Sequence, residues 1–194
     1  MAIVHKATLT PTKLELVATW LEGQPWAGAG ELVGLGSYRF DDPDGEVGVE
    51  GLLVGRDDVV LHVPMTYRGA PLAGAEAHLL GTMQHSALGE RWVYDATSDP
   101  VAVGCFLRAL RGEQQQAAIE IWDGDVLVGH RDPDTTVRSE AGGATTVPAE
   151  AVVVEVDGSR LTIGRVVGSG LDGPLRLTAE WAGGAGVLAA AELG

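Results

Sequence analysis

Three strand patterns joined by two turns occupy residues 34–67, which read GLGSYRFDDPDGEVGVEGLLVGRDDVVLHVPMTY. The stretch before the first turn is extended by pattern, and DDPDG at 41–45 is a turn. Residues 46–54 alternate valine with polar neighbours, and Asp57-Asp58 then interrupts the run before a third strand pattern at 59–67. Short apolar runs between Asp- and Gly-rich turns predict an antiparallel sheet.

Hairpin signals continue through the last third of the chain. Each consists of two apolar runs on either side of a short turn rich in aspartate or glycine. Twenty-eight glycines in the chain suit such a turn-rich antiparallel protein. The predicted strand pairs are Ile119–Trp122 with Val126–Gly129 around Asp123-Gly124-Asp125, Val152–Val156 with Arg160–Val166 around Asp157-Gly158, and Leu175–Trp181 with Val187–Ala191.

Two segments carry helix signals. Thr10-Pro11 offers a cap and a first-turn proline for a helix that ends before Gly23. A second helix begins with Asp99 as N-cap and Pro100 at its first position, and it ends before Gly112. Arg91–Tyr94 is a short strand leading into it. The predicted fold is therefore α+β, mostly antiparallel sheet, with two main helices laid on one face of the N-terminal half and a hairpin-rich C-terminal half.

The boundary between the halves is predicted at Arg111–Ala117, where a helix ends and RGEQQQA follows without periodicity. This divides the chain into residues 1–112 and a β-rich domain over 117–194. Pro133–Ala149, rich in Thr, Gly and Ala, is predicted to be a mobile loop.

Charge excludes several classes of partner. The chain has 27 acidic and 13 basic residues, a formal net charge of −14. Such a field repels phosphate backbones and anionic lipid, so neither nucleic acid nor membrane is an expected partner. The N-terminal MAIVHKATLTPTK has no apolar run behind a basic start, and the expected location is cytoplasmic.

No catalytic or metal-binding constellation is recognisable in the sequence. His130-Arg131-Asp132 resembles a kinase catalytic loop, but the position that would hold the metal-binding Asn is Val137. The glycine-rich stretches lack the ending of a phosphate loop, and the five histidines have no paired ligand spacing. Cys105 lies on an apolar background, which favours an inert thiol. We therefore predict no catalytic residue, no metal and no cofactor.

The first half nevertheless resembles a known family. MAIVHKATLTPTKLELVATWLEGQPW at 1–26 is similar to the opening of actinobacterial maltokinase N-terminal cap domains, where a strand leads into a helix ending near W-L-x-x-Q-x-W. Three later stretches complete the likeness, which covers about residues 1–111. The matching residues and stretches are Trp20, Leu21, Gln24 and Trp26, then YRFDDPDGEVGVE at 38–50, VPMTYRGAPLAGAEAHLLGTM at 63–83 and RWVYDATSDP at 91–100.

The resemblance implies a metabolic setting rather than a reaction. Maltokinases phosphorylate maltose with ATP on the route from trehalose to α-glucan, and their cap, a curved antiparallel sheet with helical elements, rests on the kinase N-lobe away from the phosphoryl-transfer residues. Some small cap proteins carry the label 1,4-α-glucan branching protein. That activity needs a (β/α)₈ barrel of about 250 residues and paired carboxylates, which this chain is too short to supply.

The resemblance extends more faintly to the second half. Residues 145–167 look like the strand pair of a kinase N-lobe, and Gly164 falls where the ATP-contacting lysine would be expected. Residues 117–194 are then either a reduced, non-catalytic N-lobe-like sheet or a plain β-hairpin domain.

Aromatic and charged residues concentrate between Met65 and Asp95. Trp and Tyr stack on sugars and also anchor protein interfaces, while Arg–Asp pairs fix geometry. The alternative is that Trp92 and Tyr94 fill the core and Asp95 makes a turn. The predicted binding residues are Tyr67, Arg68, Glu76, His85, Arg91, Trp92, Tyr94 and Asp95.

Three functional hypotheses follow. The first is a non-catalytic accessory or regulatory protein of trehalose, maltose and α-glucan metabolism that docks on a sugar kinase or a trehalose- or maltose-processing enzyme. The second is a small carbohydrate- or sugar-phosphate-binding protein, which would require exposed Trp92, Trp122 or Trp181. The third is an enzyme with an unrecognised site near His85 and Asp95.

Overall fold

A computed structural model describes residues 2–5, 8–123 and 126–194, with the backbone alone for 2–5 and 123. The described chain forms two α-helices, α1 (Lys13–Leu21) and α2 (Pro100–Leu110), and two short 3-10 helices at Glu76–His78 and Ala96–Ser98. Its strands are β1 (Ala2–His5), β2 (Leu9–Thr10), β3 (Leu32–Phe40), β4 (Gly48–Arg56), β5 (Val59–Arg68), β6 (Leu79–His85), β7 (Gly89–Asp95), β8 (Ile119–Asp123), β9 (Val126–Arg131), β10 (Thr135–Ala141), β11 (Val152–Val156), β12 (Ser159–Ile163), β13 (Leu175–Trp181) and β14 (Gly184–Glu192).

A six-stranded antiparallel sheet forms most of the first half, in the order β2-β6-β7-β5-β4-β3. The strand patterns at 34–67 become β3, β4 and β5, which pair in sequence order. β7 pairs with the second half of β5, from Met65 opposite Asp95 to Arg68 opposite Trp92. The predicted β-rich, antiparallel architecture with two helices is confirmed.

The start of α1 differs from the prediction at Thr10-Pro11. Thr12 is the N-cap: its side chain accepts from the backbone N–H of Glu15, and the Glu15 carboxylate accepts from the backbone N–H of Thr12 at 2.8 Å. This reciprocal capping box satisfies two N–H groups that the first helical turn cannot pair, so it sets the helix start two residues later.

The predicted start of α2 is confirmed. The Asp99 side chain accepts from the backbone N–H of Val101 at 3.0 Å, and Pro100 occupies the first helical position. The helix ends at Leu110, and Gly112, just beyond the C-cap Arg111, has a φ of +77° that lets the backbone N–H of Glu113 donate to the carbonyl of Arg108 at 2.9 Å. Such a left-handed C-terminal residue satisfies the last helical carbonyls.

The two helices lie on opposite faces of the six-stranded sheet, not on one face as predicted. Because side chains alternate along a strand, β4 places Leu52 and Val54 against α1 and Val49 and Leu53 against α2. The α1 face forms one apolar cluster, which includes Leu16, Val17, Leu21, Val63, Met65 and Val93.

The second half contains a five-stranded antiparallel sheet in the order β10-β13-β14-β12-β11. The predicted hairpins β11–β12 and β13–β14 are both present. The prediction of a mobile loop over 133–149 is wrong in its first part, because Thr135–Ala141 forms β10 and pairs with β13 along its whole length. The strand is mostly polar and three of its seven residues are exposed, so it has little hydrophobic pattern in the sequence.

A third sheet joins β1, β8 and β9. β8 and β9 form the predicted hairpin, and β1 pairs with β8 in parallel. Of the turn predicted between them, Asp123-Gly124-Asp125, the first residue ends β8 and the other two lie outside the described residues.

α2 lies between the six-stranded and five-stranded sheets. Its buried Phe106 and Leu110 belong to a single apolar cluster with Leu53 from the first sheet and Ile163 and Leu177 from the second. The chain following β12 adds a further contact: the backbone N–H of His62 donates to the Arg165 carbonyl at 2.9 Å, and that of Val167 donates to the Val60 carbonyl at 2.8 Å. Residues 164–167 therefore extend the first sheet beside the half of β5 that β7 does not reach.

Candidate binding surface

The predicted binding residues divide between the two faces of the six-stranded sheet. Register places Tyr67, Arg91 and Asp95 on the α1 face and Arg68, Trp92 and Tyr94 on the α2 face. His85 shares the α1 face, and Glu76 lies exposed in the 3-10 helix before β6. The eight residues therefore do not converge on one cleft.

The uncovered part of the α2 face forms a continuous polar and aromatic surface. α2 begins beside β5, so it leaves the outer strands β6 and β7 open to solvent on this side. Thr82, Gln84 and Glu90 are exposed there, and Trp92 is half-buried between Arg68 and Thr82. We call this set, Arg68, Thr82, Gln84, Glu90 and Trp92, the Trp92 surface.

Arg68 is held rigidly at the edge of this surface. Its Nε and Nη2 each donate to a carboxylate oxygen of Asp99 at 2.7 Å, a bidentate pair that ties β5 to the α2 N-terminus. Burial opposes ionisation of Asp99, but the Arg68 hydrogen bonds outweigh it and lower the pKa of the carboxyl. A bidentate arginine loses little freedom on binding, so the side chain is preorganised.

Tyr94 lies on the same α2 face of the sheet, beneath the segment between β5 and β6. It is buried, and its hydroxyl accepts from the backbone N–H of Leu72 at 2.9 Å. This bond fixes the segment between β5 and β6 over the sheet. Tyr94 thus acts as a core residue, while its neighbour Trp92 keeps part of its ring in solvent.

Tyr67 belongs to a buried charge cluster on the opposite face. Its hydroxyl donates to Glu50 Oε2 at 2.8 Å, and Lys13 Nζ lies 2.8 and 2.7 Å from the two Glu50 oxygens. Arg39 completes the cluster at 3.4 Å. Burial would raise the pKa of Glu50, but Arg39, Lys13 and Tyr67 together hold it well below its usual range.

Asp95 forms a second buried ion pair, with Arg165 from the segment after β12. The same carboxylate accepts from the backbone N–H of Thr97 at 3.0 Å. The Arg165 guanidinium lies 5.8 and 5.7 Å from the ring centroids of Trp20 and Trp26, within cation–π range. Sequence reasoning noted both tryptophans as a family motif but missed Arg165.

His85 and Arg91 organise a turn instead of pointing toward Asp95. His85 Nδ1 accepts from the backbone N–H groups of Ala87 and Leu88 at 3.2 and 3.1 Å, and Arg91 Nη2 donates to the Leu88 carbonyl at 2.7 Å. Glu76 similarly accepts from the backbone N–H of Gly74 at 3.0 Å. These contacts give each side chain a local role at the β6–β7 end of the sheet.

The tryptophans that a glycan-binding strip would require lie on separate sheets. Trp92 is on β7, Trp122 on β8 and Trp181 on β13, and all three are half-buried. Among the described residues no group of three or more His, Cys, Asp or Glu side chains is placed to hold a metal ion.

Residues 20–99 match the family model of the maltokinase N-terminal cap domain. This chain carries a maltokinase N-terminal cap-like domain. A comparison with curated proteins finds no match for the chain.

The match begins at Trp20 and ends at Asp99, so the matched region runs from the end of α1 to the N-cap of α2. It includes every residue of the Trp92 surface and the pair Trp20 and Trp26. α2 itself and the five-stranded sheet lie beyond the match. No helix of the described chain has the length and apolar character needed to span a bilayer.

Proposed function

We propose that the chain is a non-catalytic accessory or regulatory protein of trehalose, maltose and α-glucan metabolism, which docks on a sugar kinase or a trehalose- or maltose-processing enzyme. One observation carries the proposal: the cap-like domain presents an uncovered sheet face, the Trp92 surface. The docking role and the partner class are inferred from that surface and from the family match together.

The composition of the Trp92 surface suits a protein partner. Tryptophan and arginine are the side chains most enriched at energetically dominant interface positions. Trp92 and Arg68 lie next to each other, and the Asp99 pair holds Arg68 in place before any partner arrives. Thr82, Gln84 and Glu90 then provide a polar rim of the kind that surrounds such anchors.

The charge of the chain indicates which charge the partner's surface should carry. The chain has a formal net charge of −14, and within the Trp92 surface Arg68 is already neutralised by Asp99 while Glu90 is exposed. A complementary partner therefore presents basic residues, and the long-range attraction accelerates association at low ionic strength. Binding should weaken as salt is added, because screening shortens the reach of the field.

The decisive experiment is an affinity pull-down of tagged protein from native cytosol with identification by mass spectrometry. We expect stoichiometric recovery of a sugar kinase or of a trehalose- or maltose-processing enzyme. The purified pair should then show altered enzyme kinetics in the presence of the chain. Recovery of no enzyme from these classes at moderate salt would overturn the proposal.

Two substitutions locate the docking surface. Thr82→Arg adds bulk and positive charge beside Trp92 at an exposed position, so it should reduce binding at least tenfold without unfolding the sheet. Thr136→Arg, an exposed change on β10 of the other sheet, is the matched control and should bind like the natural chain. Equal binding by both variants would exclude the Trp92 surface as the docking site.

A further inference from the structure

A small cleft lies where the two halves of the chain meet. It has a volume of about 140 Å³ and is lined by the end of β3, the segment that follows α2, and β10. The side chains that matter for its chemistry are Phe40, Gln114, Gln115, Gln116, Arg138 and Ser139. One wall of the cleft is therefore formed by the boundary segment 111–117, RGEQQQA, which has no periodicity in the sequence.

The size of the cleft limits what it can hold. A cavity of about 150 Å³ accommodates benzene. A single six-membered ring therefore fits, with its substituents extending toward the open side, whereas a disaccharide does not. Half-buried Val137 offers apolar surface to the non-polar face of such a ring, above the buried side chains of Phe40 and Leu177.

The polar groups of the cleft favour an uncharged ligand. The only charged side chain that lines it within the described residues, Arg138, is paired with Glu180 at 2.5 Å and lies 3.8 Å from Glu140. The other polar side chains are amides and one hydroxyl. A fixed negative charge on the ligand would meet these two carboxylates near the only cation.

The amides keep unused hydrogen-bonding capacity. Gln116 accepts from the backbone N–H of Val137 at 2.6 Å and donates to the Thr135 carbonyl at 3.1 Å, which fixes its orientation. An amide has two N–H donors and two oxygen lone pairs. Within the described residues these two bonds occupy half of them, so one donor and one acceptor remain. Exposed Gln115 lies beside it at the rim.

From these observations we infer that the cleft binds a small, neutral, ring-shaped polyol, such as a pyranose monosaccharide or a cyclitol. Hydroxyl groups both donate and accept, and so they match paired amide donors and acceptors. Since the walls come from both sides of the boundary, a bound ring bridges α2 and β10. This site is separate from the Trp92 surface and does not depend on the proposed docking function.

The test is a titration of the full chain followed by ¹H–¹⁵N NMR, with glucose and myo-inositol as neutral rings and glucose 6-phosphate as the anionic counterpart. At least one neutral ring should shift the backbone amides of 114–116 and 137–139, with a dissociation constant on the order of 1 mM for so small a ligand. Glucose 6-phosphate should bind no more tightly than glucose. Absence of shifts at these amides, or tighter binding of the phosphate, would overturn the inference.

Two substitutions to tryptophan test whether the ligand binds in the cleft or elsewhere on the surface. Gln115→Trp places a large ring at the rim and should weaken binding at least tenfold by closing the opening. Glu113→Trp, an equally exposed neighbour that does not line the cleft, should leave the affinity unchanged. Unchanged affinity in Gln115→Trp would place the ligand elsewhere, and equal loss in both variants would show that the effect is not specific to the cleft.

Discussion

His62 links the cap-like domain to the second half of the chain through a neutral imidazole. It is fully buried, and its Nδ1 lies 3.0 Å from the Gly164 carbonyl, which can only accept, so Nδ1 carries the hydrogen. Nε2 then accepts from the Tyr38 hydroxyl at 2.9 Å. Protonation of Nε2 would reverse that bond, because the Tyr38 hydroxyl can also accept, and would place a positive charge in the core near Arg165. Burial, together with the positive charge of Arg165, lowers the pKa of His62 to about 3.

This lowered pKa predicts a loss of stability in mild acid. An unfolded histidine titrates near pH 6.5, so below that value the unfolded chain binds a proton that the native chain excludes. The contribution is complete above about pH 6.5 and is lost progressively as the pH falls toward the folded value of about 3. The free energy of unfolding should fall by about 1 kcal/mol per pH unit in that range.

Urea unfolding of the natural chain and His62→Gln measures the effect. The useful window lies between about pH 6.5 and pH 4.5, because carboxylates with lowered pKa values, such as Glu50, add their own loss below it. His62→Gln should be less stable near neutrality but should show the flatter pH dependence. His78→Gln, at an exposed histidine, is the control and should keep the slope of the natural chain. Equal slopes in all three proteins would contradict the assignment.

Among the elements, helices and strands with local signals were predictable and elements defined by distant contacts were not. α2 is recognisable in the sequence because Asp99-Pro100 is a strong local start signal. The sequence does not predict β10, because its side chains are mostly polar and its hydrophobic periodicity is therefore weak. Thr10-Pro11 predicts the start of α1 two residues too early, because the reciprocal capping box of Thr12 and Glu15 sets the N-cap.

In the candidate site, too, the features that depend on local sequence are predictable and those that depend on distant contacts are not. Neighbouring residues of a strand point to opposite faces, so Tyr67 and Arg68 could have been separated from the sequence once β5 was predicted. Which face stays open depends on where α2 lies, and no local pattern contains that information. The Asp95–Arg165 pair joins residues 70 positions apart, and only the three-dimensional structure shows that Trp20 and Trp26 lie over it.

The ion pair between Arg165 and Asp95 leads to a prediction about how strongly segment 164–167 is held against β5. Arg165 and Asp95 are both buried, so removing one leaves the other charged and unpaired. Arg165→Met should lower the free energy of unfolding by about 3–5 kcal/mol. Asp95→Asn combined with Arg165→Met should cost less than the sum of the single changes, with a coupling of about 1–3 kcal/mol.

A double-mutant cycle by urea denaturation provides the measurement. The exposed pair Arg138 and Glu180 serves as the control cycle, where screening by solvent should keep the coupling below about 1 kcal/mol. Additive losses at Asp95 and Arg165 would mean that the ion pair does not hold the segment against β5.

For the whole molecule, the apolar cluster around α2 decides how the chain unfolds. The family match stops at Asp99, yet Phe106 and Leu110 bury their side chains against both the cap-like sheet and the five-stranded sheet. Neither sheet can lose α2 without exposing its own apolar face. The two predicted segments, 1–112 and 117–194, should therefore unfold together in one transition, since the shared cluster couples them.

Hydrogen exchange tests this coupling directly. Amides of β4 in the first sheet and of β13 in the second should report the same free energy of opening, and Phe106→Ala should lower both by about 3–5 kcal/mol. Val153→Ala, at a side chain that is 40% exposed on β11, should change neither by more than about 0.5 kcal/mol. If Phe106→Ala lowers protection in one sheet alone, the halves unfold separately and the boundary at 111–117 is a true domain border. Equal loss in both sheets means that α2 is their common core, and the cap-like fold here requires the sheet that follows it.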